Sequence, residues 1–157
     1  MIDFTTPITP YEGTGIFKLD SSYDDVKTLL EENNISYEEE VEAATDIDPP
    51  LTTIVICKDG SPKQYSAIEL YFAKKRLYKI CLCEDFKGSL PNGIHTGITI
   101  QEAKQIDTNL ERDEDWDEIY ISPEGYWLEY SNRNLEIIII TIFIPAVERE
   151  DFYDYNW

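Results

Sequence analysis

Acidic side chains dominate the chemistry available to this chain, which has 32 Asp and Glu against 13 Lys and Arg. His95 is the single histidine of the sequence, so any Ser-His-Asp triad, Cys-His pair or multi-histidine metal centre would have to use it. No glycine-rich phosphate-binding loop is present. Carboxylate pairs could serve a glycosidase, but some pair is always close among so many acids. We therefore predict a protein that is not an enzyme and uses no cofactor.

One acidic segment has the spacing of a calcium loop. Asp113, Asp115 and Asp117 take its first, third and fifth positions, and Glu124 takes the last one. Glu118, however, stands where the sharp turn of such a loop needs glycine. We therefore predict no metal site and a solvated acidic loop.

Features of the chain that report on cellular compartment favour the cytoplasm. The three cysteines, Cys57, Cys81 and Cys83, are an odd number, as expected for buried thiols in a reducing environment. The first residues, 1–11, have neither the basic nor the apolar stretch of a signal peptide. The longest apolar run, Ile137–Ile144, is far shorter than the ~20 residues that span a bilayer. We expect a cytoplasmic protein without a membrane segment.

The hydrophobic pattern predicts a single α+β domain over 1–157. Ser21 or Ser22 is suited to cap a helix that runs from Ser22 to about Asn33, and Thr99 with Glu102 forms the capping-box pattern for a second helix ending near Asp107. The predicted strands are Gly15–Leu19, Tyr37–Val41, Leu51–Lys58, Ser66–Ala73, Arg76–Cys83, Glu118–Ile121, Tyr126–Ser131 and Leu135–Ile144. Turns are predicted at 59–62, 73–75, 122–125 and 132–134.

Two parts of the chain look alike, which predicts two tandem repeats of a short helix packed on an antiparallel β-sheet. The first repeat would cover 13–84 and the second 93–145, followed by an acidic and aromatic C-terminal tail, 146–157. Apolar positions match at an offset of 58 residues: Leu70, Phe72, Leu77, Ile80 and Leu82 correspond to Leu128, Tyr130, Leu135, Ile138 and Ile140. Because Leu135–Ile144 is apolar on both faces, we expect a central strand covered on both sides.

The second half carries a pattern seen in a known module. A glycine-led helix start, Gly97–Ala103, precedes the hairpin formed by Tyr126–Tyr130 and Leu135–Ile140. This order resembles the BLIP-like repeat, found in the β-lactamase inhibitor protein and in small outer-membrane assembly lipoproteins of bacteria. The chain lacks the Gly-x-Pro that usually follows the helix in that family, and a lipidated cysteine. The resemblance implies the fold and a protein-binding role.

Three acidic clusters are the candidate partner-binding sites. Densely packed like charges repel each other, so their retention needs a benefit. Carboxylates beside rigid aromatic rings suit a cationic protein, since charge speeds the encounter and buried rings supply affinity. Trp116 would fill a partner's pocket if the segment around it is a loop, and would otherwise pack in the core. The candidate residues are Glu38, Glu39 and Glu40; Asp113, Glu114, Asp115, Trp116, Asp117 and Glu118; and Asp151, Tyr153, Asp154, Tyr155 and Trp157.

The net charge of −19 narrows the class of partner. Nucleic-acid binding and docking on anionic lipid both need clustered Lys and Arg, so we expect neither. In its small size, its acidity and its lack of recognisable catalytic residues, the chain is similar to bacterial toxin-immunity proteins as a class. The leading hypothesis is an immunity protein that binds and neutralises a cognate basic toxin, with a nuclease domain favoured because nuclease sites are electropositive. A scaffold or adaptor that binds another basic protein is the alternative, and a DNA mimic is a third.

Overall fold

A computed structural model of the protein describes residues 1–59 and 65–157. The predicted turn at 59–62 therefore lies outside the described residues except for Asp59. The chain begins with three two-residue strands that form a small antiparallel sheet: β1 (Ile8–Thr9), β2 (Gly13–Thr14) and β3 (Phe17–Lys18). The first long helix and its strands follow: α1 (Tyr23–Glu32), β4 (Glu38–Glu42), β5 (Leu51–Ile56), β6 (Ile68–Ala73) and β7 (Arg76–Leu82).

The second half of the chain has the same order of elements, one helix and then four strands. These are α2 (Ile100–Ile106), β8 (Glu111–Arg112), β9 (Ile119–Ser122), β10 (Tyr126–Tyr130) and β11 (Ile137–Phe143). Two short 3-10 helices, Pro145–Glu148 and Phe152–Asp154, complete the C-terminal tail.

The eight strands of the two halves form one antiparallel sheet in the order β4-β5-β6-β7-β11-β10-β9-β8. The last strands of the two halves, β7 and β11, therefore pair with each other at the centre of the sheet. Ile140 lies opposite Leu82, and Ile142 lies opposite Ile80. The predicted α+β class is confirmed, with more sheet than helix. The two edge strands are β4 and β8, and both begin with acidic residues.

Both predicted helix starts are confirmed by their capping side chains. Ser22 Oγ accepts a hydrogen bond from Asp25 N at 3.1 Å. Thr99 Oγ1 accepts one from Glu102 N at 3.2 Å, and the Glu102 carboxylate accepts one from Thr99 N at 2.7 Å, which completes a capping box. These contacts are local, so sequence spacing alone determines them. In the described part of the chain, neither helix has the length and apolar character needed to cross a membrane.

One face of the sheet forms the hydrophobic core. Antiparallel pairing aligns buried side chains in rows that cross the sheet, because directly opposite residues point to the same face. One such row consists of Ile54, Leu70, Ile80, Ile142 and Tyr126. Residues from both halves of the chain contribute to this single core cluster.

The hairpin between β10 and β11 corrects two predictions. Tyr130 lies opposite Ile137, seven residues later, whereas Phe72, which is 58 positions before Tyr130, lies opposite Leu77, five residues later. The chain between these equivalent pairs is therefore two residues longer in the second hairpin. The offset of 58 residues therefore applies to β6 and β10 but not to the strands that follow them. Leu135 is not the first residue of β11: it lies in the turn at φ 61° and is 45% exposed.

The central strand β11 is covered on both faces over its second half. Ile142 faces the core, while Thr141 and Phe143 are buried on the opposite face. The rings of Trp127 and Tyr11 cover Phe143, with ring centroids 4.8 Å and 6.1 Å away. Nearer the start of the strand, Ile139 is half-buried, so cover on the second face is incomplete.

The backbone connects each helix start to the last strand of its own half in the same way. Tyr23 N donates to Lys75 O and Ile100 N donates to Leu135 O, both at 2.8 Å. Lys75 and Leu135 both have positive φ, 59° and 61°. The helix entry is thus attached to an equivalent turn in both halves.

Candidate partner-binding surfaces

The hairpin loop 113–118 between β8 and β9 presents the indole of Trp116 to solvent. Asp113 Oδ1 accepts hydrogen bonds from Asp115 N at 2.8 Å and Trp116 N at 2.9 Å, which fixes the loop backbone. Ile119 N donates to Trp116 O at 3.1 Å and closes the turn. Trp116 is 64% exposed, and Glu114 and Asp115 beside it are exposed as well. This loop therefore displays a large apolar ring among carboxylates.

Neighbouring strands brace the second half of the same loop. Arg112 forms an ion pair with the Asp117 carboxylate at 3.0 Å, and its Nε donates to Asp117 O at 3.1 Å. Tyr130 OH also donates to Asp117 O, at 3.2 Å. Asn132 donates to the Glu118 carboxylate at 2.7 Å. Asp117 and Glu118 thus have partners within the protein, and the free negative charge lies nearer Trp116.

The acidic segment Glu38–Glu40 forms most of β4, the opposite edge of the sheet. All five residues of this strand are exposed. Glu39 lies over α1, where its carboxylate accepts hydrogen bonds from Tyr23 OH and from Lys27 Nζ, the latter at 3.3 Å. The hydrogen bond to Glu39 raises the pKa of Tyr23. Since β4 and β8 are the two ends of an eight-stranded sheet, this cluster is separate from the loop around Trp116.

The C-terminal tail folds back onto the protein through its aromatic residues. Phe152 is buried, and Trp157 stacks on it with ring centroids 5.4 Å apart and an interplanar angle of 8°. The Trp157 indole N–H donates to Phe152 O at 3.0 Å. Lys74 Nζ donates to Tyr155 O at 2.6 Å, and the Tyr155 hydroxyl donates to Asp48 at 3.0 Å. Trp157 and Tyr155 therefore contribute to the fold of the tail.

The other predicted residues of the tail face solvent. Tyr153 is 71% exposed and Asp154 is exposed. Asp151 forms an ion pair with Arg149, which lowers the pKa of Asp151 through its hydrogen bonds. The three predicted clusters thus lie on one edge strand, on the hairpin at the opposite edge and on the C-terminal tail.

A surface that the sequence did not reveal lies between the two acidic edges. Directly opposite residues form a row across all eight strands on the face away from the core. We call this row the open-face row; it consists of Glu38, Val55, Glu69, Cys81, Thr141, Trp127, Ile121 and Glu111. Cys81 and Thr141 at its centre are buried, the flanking side chains are half-buried, and a carboxylate stands at each end.

Electrostatics make this open face a good match for positive charge. Glu129 lies two residues after Trp127 in β10 and on the same face, and burial together with the nearby Glu118 and Glu69 raises the pKa of Glu129. The Glu69 carboxylate accepts hydrogen bonds from Tyr71 OH and Ser66 Oγ, both at 2.6 Å. Lys79 lies 4.1 Å above the Tyr71 ring. In the sequence these side chains are visible only as alternate positions of two strands, Ile119 and Ile121 in β9 and Trp127 and Glu129 in β10. To show that all four share one face requires the order of the strands in the sheet.

Metal-ligating side chains and cysteine thiols are two further kinds of group within residues 1–59 and 65–157 that could take part in chemistry. No group of three or more His, Cys, Asp or Glu is placed to hold a metal ion there. Burial raises the pKa of the Cys81 thiol to about 11, so it is protonated at neutral pH and unreactive as a nucleophile.

Comparisons of the chain with protein families, curated proteins and solved structures find no match.

Proposed function

We propose that this protein is an acidic immunity protein that binds a basic bacterial toxin domain and thereby neutralises it. The observation that carries the proposal is the exposed indole of Trp116, held by a braced loop among Asp113, Glu114 and Asp115. Solvent exposure of so large an apolar ring has a cost, because no hydrophobic burial offsets it in the free protein. A partner pocket that accepts the ring while Lys and Arg meet the carboxylates would provide the compensation.

The open-face row extends this binding surface from the hairpin toward the centre of the sheet. It places Trp127 next to Ile121 and Ile121 next to Glu111, which lies on the strand that leads into the loop around Trp116. The part of the row between Glu69 and Glu111 carries no charge, and an uncharged core with a polar rim is the usual composition of a protein interface. Strands lie about 4.8 Å apart, so eight of them span roughly 34 Å, enough for one side of a standard interface. A nuclease domain is the favoured partner because its active site must attract phosphate and is therefore basic.

We further propose that the fold arose by tandem duplication, with repeats at 13–84 and 93–145. One support is that both halves have the same order of elements, one helix and then four strands. The helix starts also make equivalent hydrogen bonds, donated by Tyr23 N and Ile100 N. A second support is the irregular pairing at the same place in both hairpins, between Tyr71 and Phe72 and between Glu129 and Tyr130. Duplication would create the wide sheet on which the open face depends.

A growth-rescue experiment tests the neutralising function. Toxin domains encoded beside this gene are expressed alone and together with the protein, and the two proteins are co-purified. We expect growth to be restored and a stable complex to form. If the protein forms a complex with a basic neighbour but does not relieve toxicity, the adaptor function is favoured instead. Absence of both rescue and complex contradicts the proposal.

The role of Trp116 is tested by Trp116→Ala, with Tyr65→Ala as a matched control. Tyr65 is also a largely exposed aromatic residue, at 55%, but it has no place in the proposed surface. Removal of an interface anchor costs about 2–4 kcal/mol of binding free energy. We expect that loss for Trp116→Ala, measured by calorimetry, and less than about 0.5 kcal/mol for the control, in line with exposed positions outside an interface. Equal affinity of the two variants contradicts the anchor role.

A further inference from the structure

The C-terminal tail, 146–157, covers one end of the open face, next to the turn between β6 and β7. The Tyr78 ring contacts the rings of Phe152 and Trp157, with ring centroids 5.6 Å and 5.9 Å away. Ala73, four residues after Glu69 in β6 and on the same face, is fully buried. The open face therefore already binds one aromatic segment, which the chain itself supplies.

The second half of the chain contains a counterpart of this covered end. The equivalent positions are Ala73 and Ser131, Arg76 and Glu136, and Tyr78 and Ile138. Arg76 and Glu136 each form an isolated β-bridge with the N-cap residue of the helix in their own half. Tyr78 and Ile138 are each the extra residue at the irregular pairing of their hairpin. The two ends of the open face thus have the same backbone geometry.

The end in the second half lacks the aromatic cover that the tail gives its counterpart. Ser131 is half-buried, whereas Ala73 is fully buried. Ile138 is half-buried too, as is Ile139, which faces the open side of the sheet opposite Glu129. We call this end the second-half patch; it consists of Glu129, Ser131, Glu136, Ile138 and Ile139. It offers an apolar floor on which a further segment could pack.

The charge at the margin of the second-half patch is opposite to that of its counterpart. The Arg76 guanidinium lies over the Trp157 ring, 5.2 Å from its centre, and Glu136 takes the equivalent place in the second half. Among residues 1–59 and 65–157, the half-buried carboxylate of Glu129 has neither a hydrogen-bond donor nor an ion-pair partner. Partial burial of an unpaired carboxylate is unfavourable, and a cation beside it would offset that cost.

We propose that the second-half patch binds a short segment of a protein partner in which aromatic residues stand beside Lys or Arg. The rings would pack on Ile138 and Ile139, and the cations would meet Glu129 and Glu136. The tail of a second copy of this chain is a poorer occupant, because its acidic side chains would face these glutamates. The inference rests on the proposed function for the basic protein partner, and it names the kind of segment that the open face receives.

The test is an NMR titration of the full-length protein with three synthetic peptides based on residues 148–157. The peptide KRKKFYKYNW has lysine in place of each acid of that segment, EREDFYDYNW keeps the natural sequence, and KRKKAAKANA keeps the positive charges without the rings. We expect KRKKFYKYNW to cause saturable shifts of the backbone amides of Ser131, Ile138 and Ile139. The other two peptides should each bind at least about tenfold more weakly, because one lacks the charge and the other the aromatic anchors.

Charge reversal at position 136 tests the comparison between the two ends directly. Glu136→Arg should weaken binding of KRKKFYKYNW about tenfold and strengthen binding of EREDFYDYNW, because it gives the patch the charge of its counterpart. The control Glu31→Arg makes the same change of net charge at an exposed position of α1 and should leave both affinities within about twofold. If Glu136→Arg does not fold, Glu129→Gln replaces it, with Glu31→Gln as control and an expected loss of about fivefold.

Four results overturn the proposal. Equal binding of the three peptides indicates that neither rings nor charge are recognised. Shifts confined to other surfaces place the site elsewhere. Equal effects of the glutamate variant in the patch and its Glu31 control indicate general attraction. Preference of the wild type for EREDFYDYNW indicates exchange of tails between copies.

Failure of this inference can be distinguished from failure of the proposed function. The titration uses no toxin, and the growth-rescue experiment uses no peptide. Rescue together with a negative titration overturns the inference alone. A positive titration without rescue supports recognition of a basic aromatic segment and contradicts neutralisation.

Discussion

Substitution of Trp157 by alanine tests whether the C-terminal tail belongs to the folded protein. Trp157 is half-buried, stacks on Phe152 and contacts Arg76, whose guanidinium carbon lies 5.2 Å from the centre of the indole ring. Burial of roughly 100 Å² of indole at about 25 cal/mol per Å² contributes about 2.5 kcal/mol. The hydrogen bond from its N–H to Phe152 O adds about 1 kcal/mol, and ordering the residue costs about as much.

We therefore expect Trp157→Ala to lower the free energy of unfolding by about 2–3 kcal/mol. For a chain of this length each kcal/mol shifts the melting temperature by about 2–4 °C, so thermal and urea unfolding should both detect the change. The matched control is Tyr153→Ala in the same tail, which should cost less than about 0.5 kcal/mol because the ring is 71% exposed. The reasoning is refuted if the two variants have the same stability, since the tail would then not be packed on the sheet.

Three further predictions concern the core, a helix cap and pH. Ile140→Ala should lower unfolding free energy by about 2–5 kcal/mol, and Leu135→Ala by under about 1 kcal/mol, because Ile140 is fully buried and Leu135 is 45% exposed; similar urea midpoints would contradict the assignment of Leu135 to a turn. Thr99→Ala should cost about 1 kcal/mol by removing half of the capping box with Glu102, and an unchanged thermal melt would argue against that box. The pKa of Asp107 is lower in the folded than in the unfolded state, so its contribution is present above the unfolded value and is lost as pH falls through the folded value. Acid unfolding of Asp107→Asn should therefore depend less steeply on pH below about 4 than that of the wild type, and identical curves would contradict the lowered pKa.

Local features of the fold could be predicted from the sequence because they depend on neighbouring residues. Ser22 and Thr99 mark the two helix starts, because each accepts a hydrogen bond from the backbone N–H of the residue three positions later. The apolar run of β11 indicates a central strand, since no exposed strand could carry it without aggregation. The strand predicted at Tyr37–Val41 corresponds to β4, Glu38–Glu42, but its position at the edge of the sheet was not part of the prediction.

The remaining features depend on contacts between distant residues and could not be predicted. Leu135 adopts a positive φ that a leucine seldom takes, so its residue type gives no indication that it lies in the turn. Asp107 meets Ser122 and Tyr126 only after β9 and β10 have paired. The open-face row needs the order of all eight strands, and the sequence shows none of the pairing between β7 and β11.

The most direct test of the proposed function is the rate of association between the protein and its toxin partner as ionic strength rises. The wild-type rate should fall at least tenfold between about 25 mM and about 500 mM NaCl, because surface charges attract the partner over the screening length. The variant with Asp113, Asp115 and Asp117 changed to Asn should associate more slowly at low salt and depend less on salt. A control with Glu31, Glu32 and Glu84 changed to Gln has the same net charge and should behave nearly as the wild type. An association rate that is indifferent to salt and to the triple Asn substitution would contradict the proposal.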